Sequence, residues 1–278
     1  MNHVTGAYTA HDGTRLFTQA WLPDDEPKAV IFLIHGYAEH SGRYRHVGEF
    51  LTGRGYAVYT MDLRGHGQSD GFRADIDRYE TYLDDLYGYF QEVKAANAGR
   101  KIFVLGHSMG GILALAFAAR HQEELTGVIT SGAAVSMGDA VPGYMKAISG
   151  LLAAIAPRLP LMPLAAETIS RDPAVRAAYD ADPLNYRGKV RARMGAQLLA
   201  LAKDAQERLP QITIPVLSMH GSKDVLADPE GLRVIERTIG SSDKTMRLYE
   251  GLYHEIFNEP EKEQVLSDMA AWLDARSG

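Results

Sequence analysis

The sequence predicts an α/β protein, a mostly parallel central sheet flanked by helices. Three observations point there. Short apolar runs rich in Val, Ile, Leu and Phe alternate with longer segments of helical spacing. Glycine or a polar turn closes most of the apolar runs. Strand signals stop after about residue 136 and resume after about residue 209, so one sheet carries a long helical interruption.

Taken in order, Val30 to Ile34 reads as a buried strand stopped by His35-Gly36. Arg43 to Arg54 has helical spacing and Gly55 as its stop. Ala57 to Met61 is the next strand, followed by the glycine-rich turn Arg64-Gly-His-Gly-Gln-Ser69. Tyr79 to Ala96 is helical, Lys101 to Leu105 a strand, Gly110 to His121 a helix and Gly127 to Thr130 a strand. From Met137 to Leu209 no strand signal is visible. Tyr144 to Ile155 and Val190 to Lys203 have helical spacing, separated by a turn region with Pro157, Pro160 and Pro163. The expectation is an inserted helical cap over 137–209, with 1–136 and 210–278 forming one core. Pro215 to His220 then reads as a strand, Pro229 to Ile239 as a helix, Thr245 to Tyr249 as a strand and Glu259 to Ala275 as a closing helix.

The 278 residues, 46% hydrophobic and 23% charged, suffice for one sizeable buried core. A formal net charge of −6 argues against nucleic acid as a partner, because phosphate recognition needs a basic face. The absence of cysteine excludes disulfides, a thiolate nucleophile and thiolate metal sites. Met1 to Trp21 is polar and alternating, without the apolar stretch of a secretory signal. No run reaches the ~20 apolar residues of a membrane span. A cytoplasmic protein, at most peripheral at membranes, is expected; the oligomeric state is not legible.

Gly106-His107-Ser108-Met109-Gly110 fits the G-x-S-x-G turn between a strand and a helix, with Gly111 following. Five residues alone also suit a tight turn whose serine caps the helix. The flanking strand and alanine-rich helix favour a nucleophile. A sharp strand-to-helix turn strains the serine backbone and needs neighbours without Cβ atoms. The helix N-terminus then offers N–H groups to a developing oxyanion.

A serine hydroxyl needs a base, and such turns carry the order Ser, acid, His. Gly221-Ser-Lys-Asp224 follows the strand ending at His220, and Tyr253-His254 follows the strand ending near Tyr249. Asp224 and His254 are therefore the candidate acid and base. Asp228 is a rival acid, read as a helix N-cap before Pro229; Asp62 is another, read as a partner of the turn after it. His220 stands before the acid. His254-Glu255 begins like a zinc-binding helix motif, but Asn258 occupies the second histidine position. The oxyanion donors are expected to be the N–H groups of Met109 and Tyr37. No metal or organic cofactor is required by this chemistry.

The sequence resembles the monoacylglycerol lipases, a lysophospholipase-like family of α/β hydrolases. The resemblance spans nearly the whole chain. It is carried by His35-Gly-Tyr-Ala-Glu-His-Ser-Gly-Arg-Tyr44, Asp62-Leu-Arg-Gly-His-Gly-Gln-Ser69, Gly106-His-Ser-Met-Gly-Gly111, Tyr179-Asp-Ala-Asp-Pro-Leu184 and Tyr249-Glu-Gly-Leu-Tyr-His254. It implies an α/β-hydrolase fold, a triad of Ser108, Asp224 and His254, oxyanion donors at Tyr37 and Met109, and a small glycerol pocket at Glu39, Arg43 and Tyr179. Read from spacing alone, Glu39 and Arg43 are an i,i+4 surface pair. Ala38 stands where family members often have glycine. Animal members carry a histidine where this chain has Phe257, so one headgroup contact would be missing.

Tyr144, Met145, Ile148, Leu151, Leu152 and Ile155 recur at helical spacing in the expected cap. The stripe serves either packing onto the sheet or an acyl-chain wall that touches lipid. The expected activity is hydrolysis of monoacylglycerols through an acyl-enzyme. A broader carboxylesterase or lysophospholipase would use the same triad. A non-catalytic protein of this fold holding a hydrophobic ligand is the alternative of another class.

Overall fold

The computed structural model describes residues 1–136, 143–163 and 166–278, without the side chains of 143–148 and 166. Its main sheet has eight strands: β1 (Asn2–Thr9), β2 (Arg15–Leu22), β3 (Ala29–Ile34), β4 (Tyr56–Met61), β5 (Ile102–His107), β6 (Gly127–Ser131), β9 (Val216–Gly221) and β10 (Lys244–Tyr249). The order across the sheet is β1-β2-β4-β3-β5-β6-β9-β10. β4 through β10 run parallel, while β1 and β2 pair antiparallel at one edge. β3, β5, β6 and β9 are buried along their full length, as expected of central strands covered on both faces.

Helices α1 (Arg45–Thr52), α2 (Glu80–Ala96), α3 (Met109–His121), α7 (Glu230–Thr238) and α8 (Lys262–Ser277) cover the sheet. Two apolar cores result. One joins β3 and β5 to α2 and α3 around Phe32, Phe90 and Phe117; the other joins the opposite face to α1 and α8 around Trp21, Phe103 and Trp272.

The chain between β6 and β9 carries α4 (Gly143–Ile155), β7 (Pro160–Met162), α5 (Pro173–Ala181), β8 (Val190–Arg191) and α6 (Ala192–Arg208). None of its described residues joins the main sheet. It does hold strand structure, contrary to expectation: β7 and β8 pair as a separate antiparallel ribbon. Elements of two and three residues are too short to show alternation. Met194, Leu201, Ala202 and Ala205 of α6 are buried in the first core, so this segment is fastened to the sheet layers through α6.

Of the apolar stripe expected on α4, Tyr144, Met145 and Ile148 lie outside the described residues. Leu152 is half-buried, while Leu151 and Ile155 are 63% and 70% exposed. Leu151 and Ile155 therefore face outward, while Leu152 is partly covered.

Candidate active site

β5 delivers Ser108 into a backbone conformation that non-glycine residues rarely adopt, φ 55° and ψ −118°. Neighbouring elements hold it there. The Ser108 N–H donates to the Ser131 carbonyl on β6 at 2.9 Å, and the Ser108 carbonyl accepts from Gly111 and Ile112. The glycines are required by close approach. A Cβ at Gly106 would lie 2.0 Å from the Gly110 carbonyl oxygen, and one at Gly110 would lie 2.2 Å from that of Ile34. Ser108 is half-buried and opens onto a cavity.

Asp224 follows β9 and His254 follows β10, side by side at the carboxyl edge of the sheet. His254 Nδ1 lies 2.7 Å from Asp224 Oδ2, both buried. Oδ1 accepts from the N–H groups of Leu226 and Ala227 at 2.8 and 3.0 Å. His220 Nε2 lies 3.0 Å from Oδ2 and also 3.0 Å from the Ala227 carbonyl. Burial would lift the Asp224 carboxyl, but His254 and the donors around it hold it far below the usual carboxylate range. Burial works against charge on His254, yet the Asp224 carboxylate outweighs it and raises the imidazole above 6.5. With Nδ1–H committed to Asp224, Nε2 is the nitrogen with a lone pair for an incoming proton.

His107 stacks obliquely on His254 at 4.8 Å between ring centres. Burial and the His254 charge push it down to about 4, so it is neutral beside the serine. The rival acids are occupied elsewhere. Asp62 accepts from Ser41 N–H and Oγ–H and from Gln68 N–H, as its role in the turn predicts. Asp228 Oδ1 accepts the Glu230 N–H at the start of α7.

The loop after β3 presses on the serine: a Cβ at Gly36 would sit 3.2 Å from Ser108 Cβ. His35 is a buried strut inside this loop. Its Nε2 accepts the Leu63 N–H at 2.9 Å, so Nδ1 carries the proton and donates to the Gly36 carbonyl at 2.7 Å. That carbonyl and the Tyr37 N–H belong to one planar peptide, so holding the oxygen aims the N–H. Tyr37 and Met109 both line the cavity with Ser108.

Glu39 and Arg43 form a buried brace. Glu39 Oε1 accepts the Gly36 N–H and the Tyr44 hydroxyl, each at 2.6 Å; Oε2 accepts from Arg43 at 2.7 Å. Arg43 also forks onto Glu255 at 2.6 and 2.7 Å. Burial opposes charge on Glu39, but Arg43 and nearby donors hold it down to about 2. Arg43 does not line the cavity, whereas Glu39, Glu255 and Tyr179 do. Arg43 lies 4.9 Å over the Tyr179 ring, and the Tyr179 hydroxyl donates to the Ala38 carbonyl at 3.2 Å. Phe257 is buried in the second core and is not among the cavity-lining residues.

The cavity and the solvent at its mouth together hold about 790 Å³ not filled by protein atoms. Met109, Ala134, Ile169, Val190, Leu198 and Leu226 give it an apolar wall, and Ile169, Val190 and Leu198 of that wall come from the inserted chain. His220, His35 and Glu255 were not singled out as functional from sequence. His35 acts through backbone atoms and Glu255 through Arg43, far off in the chain, while His220 reaches Asp224 only four residues on, a spacing that belongs to no motif.

Residues 25–261 match the family model Hydrolase_4, serine aminopeptidase, S33. The chain is 38% identical over 261 residues to a monoacylglycerol lipase of Mycolicibacterium smegmatis, covering 94% of this chain and 93% of that protein. It is 33% identical over 269 residues to a human monoglyceride lipase, covering 96% and 89%. A soluble variant of the Saccharomyces cerevisiae monoglyceride lipase, solved with a substrate analog, superposes with a TM-score of 0.87 at 27% identity, covering 98% of this chain and 95% of that one.

Proposed function

The chain belongs to the Hydrolase_4 (serine aminopeptidase, S33) family of α/β hydrolases, alongside monoacylglycerol lipases, and on that premise we propose that it cleaves monoacylglycerols to fatty acid and glycerol through an acyl-enzyme on Ser108. The observation that carries this reading is that His254, held by the buried Asp224, lines the same largely apolar cavity as the strained Ser108.

Ser108 Oγ attacks the ester carbonyl while His254 Nε2 takes its proton. Asp224 keeps the proton on Nδ1 and stabilises the imidazolium. The N–H groups of Tyr37 and Met109 receive the oxyanion, each such donor being worth ~3 kcal/mol in the transition state. The imidazolium then protonates the departing glycerol oxygen. Water, deprotonated by His254, attacks the acyl-enzyme and releases the fatty acid.

The apolar wall suits an acyl chain, and Ile169, Val190 and Leu198 support the reading of 137–209 as a cap over it. Glu255 and Tyr179 give the cavity a polar region suited to the glycerol head, with Glu39 and Arg43 behind it as a brace. Leu151 and Ile155, joined by Leu159 at 43% exposure, are suited to transient contact with a lipid surface. Among the described residues, no helix is long and apolar enough to cross a membrane.

The test is a substrate panel of 1- and 2-monoacylglycerols of graded chain length, diacylglycerol, lysophosphatidylcholine and p-nitrophenyl butyrate. Monoacylglycerols are expected to be turned over fastest, and Ser108→Ala to lose several orders of magnitude on every substrate. Equal or faster cleavage of lysophosphatidylcholine would make the chain a lysophospholipase. No labelling by a fluorophosphonate probe would make it a binder of hydrophobic ligands.

A further inference from the structure

Among the described residues three non-glycine residues have positive φ, and two of them flank the candidate oxyanion donors: Ser108 at 55° and Ala38 at 65°. The strain at Ser108 has its explanation in the elbow. Ala38 is buried and lies one residue after Tyr37, and its Cβ makes the left-handed conformation unfavourable. Something outside the loop must hold it.

What holds it comes from the inserted chain. The Tyr186 N–H donates to the Ala38 carbonyl at 2.9 Å, and the Tyr179 hydroxyl donates to the same oxygen at 3.2 Å. Next to them, His40 Nδ1 accepts the Gly42 N–H, so Nε2 carries the proton and donates to Asp182 Oδ2 at 2.8 Å. Tyr179, Asp182 and Tyr186 span α5 and the turn after it. Tyr186 also sets its ring edge-on against Tyr37 at 6.4 Å between centres. One short stretch thus grips the loop at residues 37, 38 and 40.

We propose that Tyr179 and Tyr186 are positioning residues for the oxyanion hole, holding the Tyr37 N–H in place through two hydrogen bonds to the carbonyl of the strained Ala38. The proposal rests on the reading of Tyr37 as an oxyanion donor. It gives the inserted segment a part in bond cleavage itself, separate from any part in seating the glycerol or the acyl chain. Upstream, His35 fixes the Gly36–Tyr37 peptide; downstream, the two tyrosines fix the path by which the chain leaves Tyr37. An alanine held left-handed relaxes when its anchors are weakened, whereas a glycine stays without strain.

Tyr179→Phe removes one anchor and keeps the ring over Arg43. The substrate is p-nitrophenyl butyrate, which has no glycerol to recognise. We expect kcat to fall about three- to tenfold with KM within twofold, as for one lost hydrogen bond felt in the transition state. In an Ala38→Gly background the same substitution is expected to cost less than twofold. A loss confined to monoacylglycerols would make Tyr179 a glycerol contact and overturn the proposal. Equal losses with and without the Ala38→Gly change would overturn it too. Ser108→Ala, assayed in parallel on the same ester, keeps the two readings apart: turnover surviving in that variant refutes the site assignment and, with it, the positioning role.

Discussion

His220 Nε2 lies 3.0 Å from the same Asp224 oxygen that receives His254 Nδ1 at 2.7 Å. A buried carboxylate with two main-chain N–H groups on one oxygen and two imidazoles at the other has almost no freedom to turn. His220→Leu should lower kcat by about tenfold with KM unchanged, and should cost about 1–3 kcal/mol of stability by removing a donor from a buried charge. His220→Gln, which restores a donor, should recover part of both. Steady-state kinetics and thermal melts check this; a kcat equal to wild type in the leucine variant would show that the two backbone amides suffice.

The pH dependence follows from the same carboxylate. His254 must be neutral to accept a proton, and its pKa lies above 6.5, so kcat/KM should rise with pH through a midpoint above that value. His107 titrates near 4 and does not contribute to that limb. Asp224→Asn should lower the midpoint and cut kcat by ~10⁴ through the wrong tautomer. Asp228→Asn should stay within about twofold, because an asparagine oxygen can accept the same Glu230 N–H. A pH–rate profile for the wild type and both variants decides it.

Arg43 neutralises two buried carboxylates that belong to different parts of the chain, Glu39 beside the nucleophile loop and Glu255 next to His254. Arg43→Met should leave both uncompensated and cost ~3–5 kcal/mol, a fall in Tm on the order of 10 °C. Arg43→Lys should recover only part, since one ammonium cannot reproduce the fork. A melting temperature unchanged in the methionine variant, with only KM for monoacylglycerols raised, would return Arg43 to the glycerol pocket that the resemblance implied.

Leu151 and Ile155 stand outward on α4. Changing both to Asp should leave p-nitrophenyl butyrate hydrolysis within about twofold and lower turnover of long-chain monoacylglycerol in vesicles several-fold, because surface binding scales with buried apolar area. Equal loss on both substrates would mean that the helix supports the fold.

The parallel core and the placement of Ser108, Asp224 and His254 at the carboxyl edge of the sheet were legible because each rests on a local signature: an apolar run, a glycine-flanked serine, an acid and a histidine just past successive strands. The N-terminal hairpin was not read as strands, since β1 is exposed along almost its whole length and carries no buried face to mark it. β7 and β8 were missed for their brevity. The brace was the larger gap. Glu39 and Arg43 looked like a surface pair because their third member, Glu255, is 212 residues away from Arg43. What makes them buried is a meeting of two loops that no single stretch of sequence displays.

Val190 and Leu198 form part of the cavity wall from a stretch of chain that supplies none of the reacting groups. Tyr179 and Tyr186, a few residues upstream, are tied to the loop beside the nucleophile. One short stretch therefore joins two kinds of position. On the proposed function, some are free to drift, and single changes there would retune which tails fit, much as swapping a gauge block resets a calliper. Others, on the positioning role proposed for the two tyrosines, would be bound to the chemistry, where drift would blunt the blade.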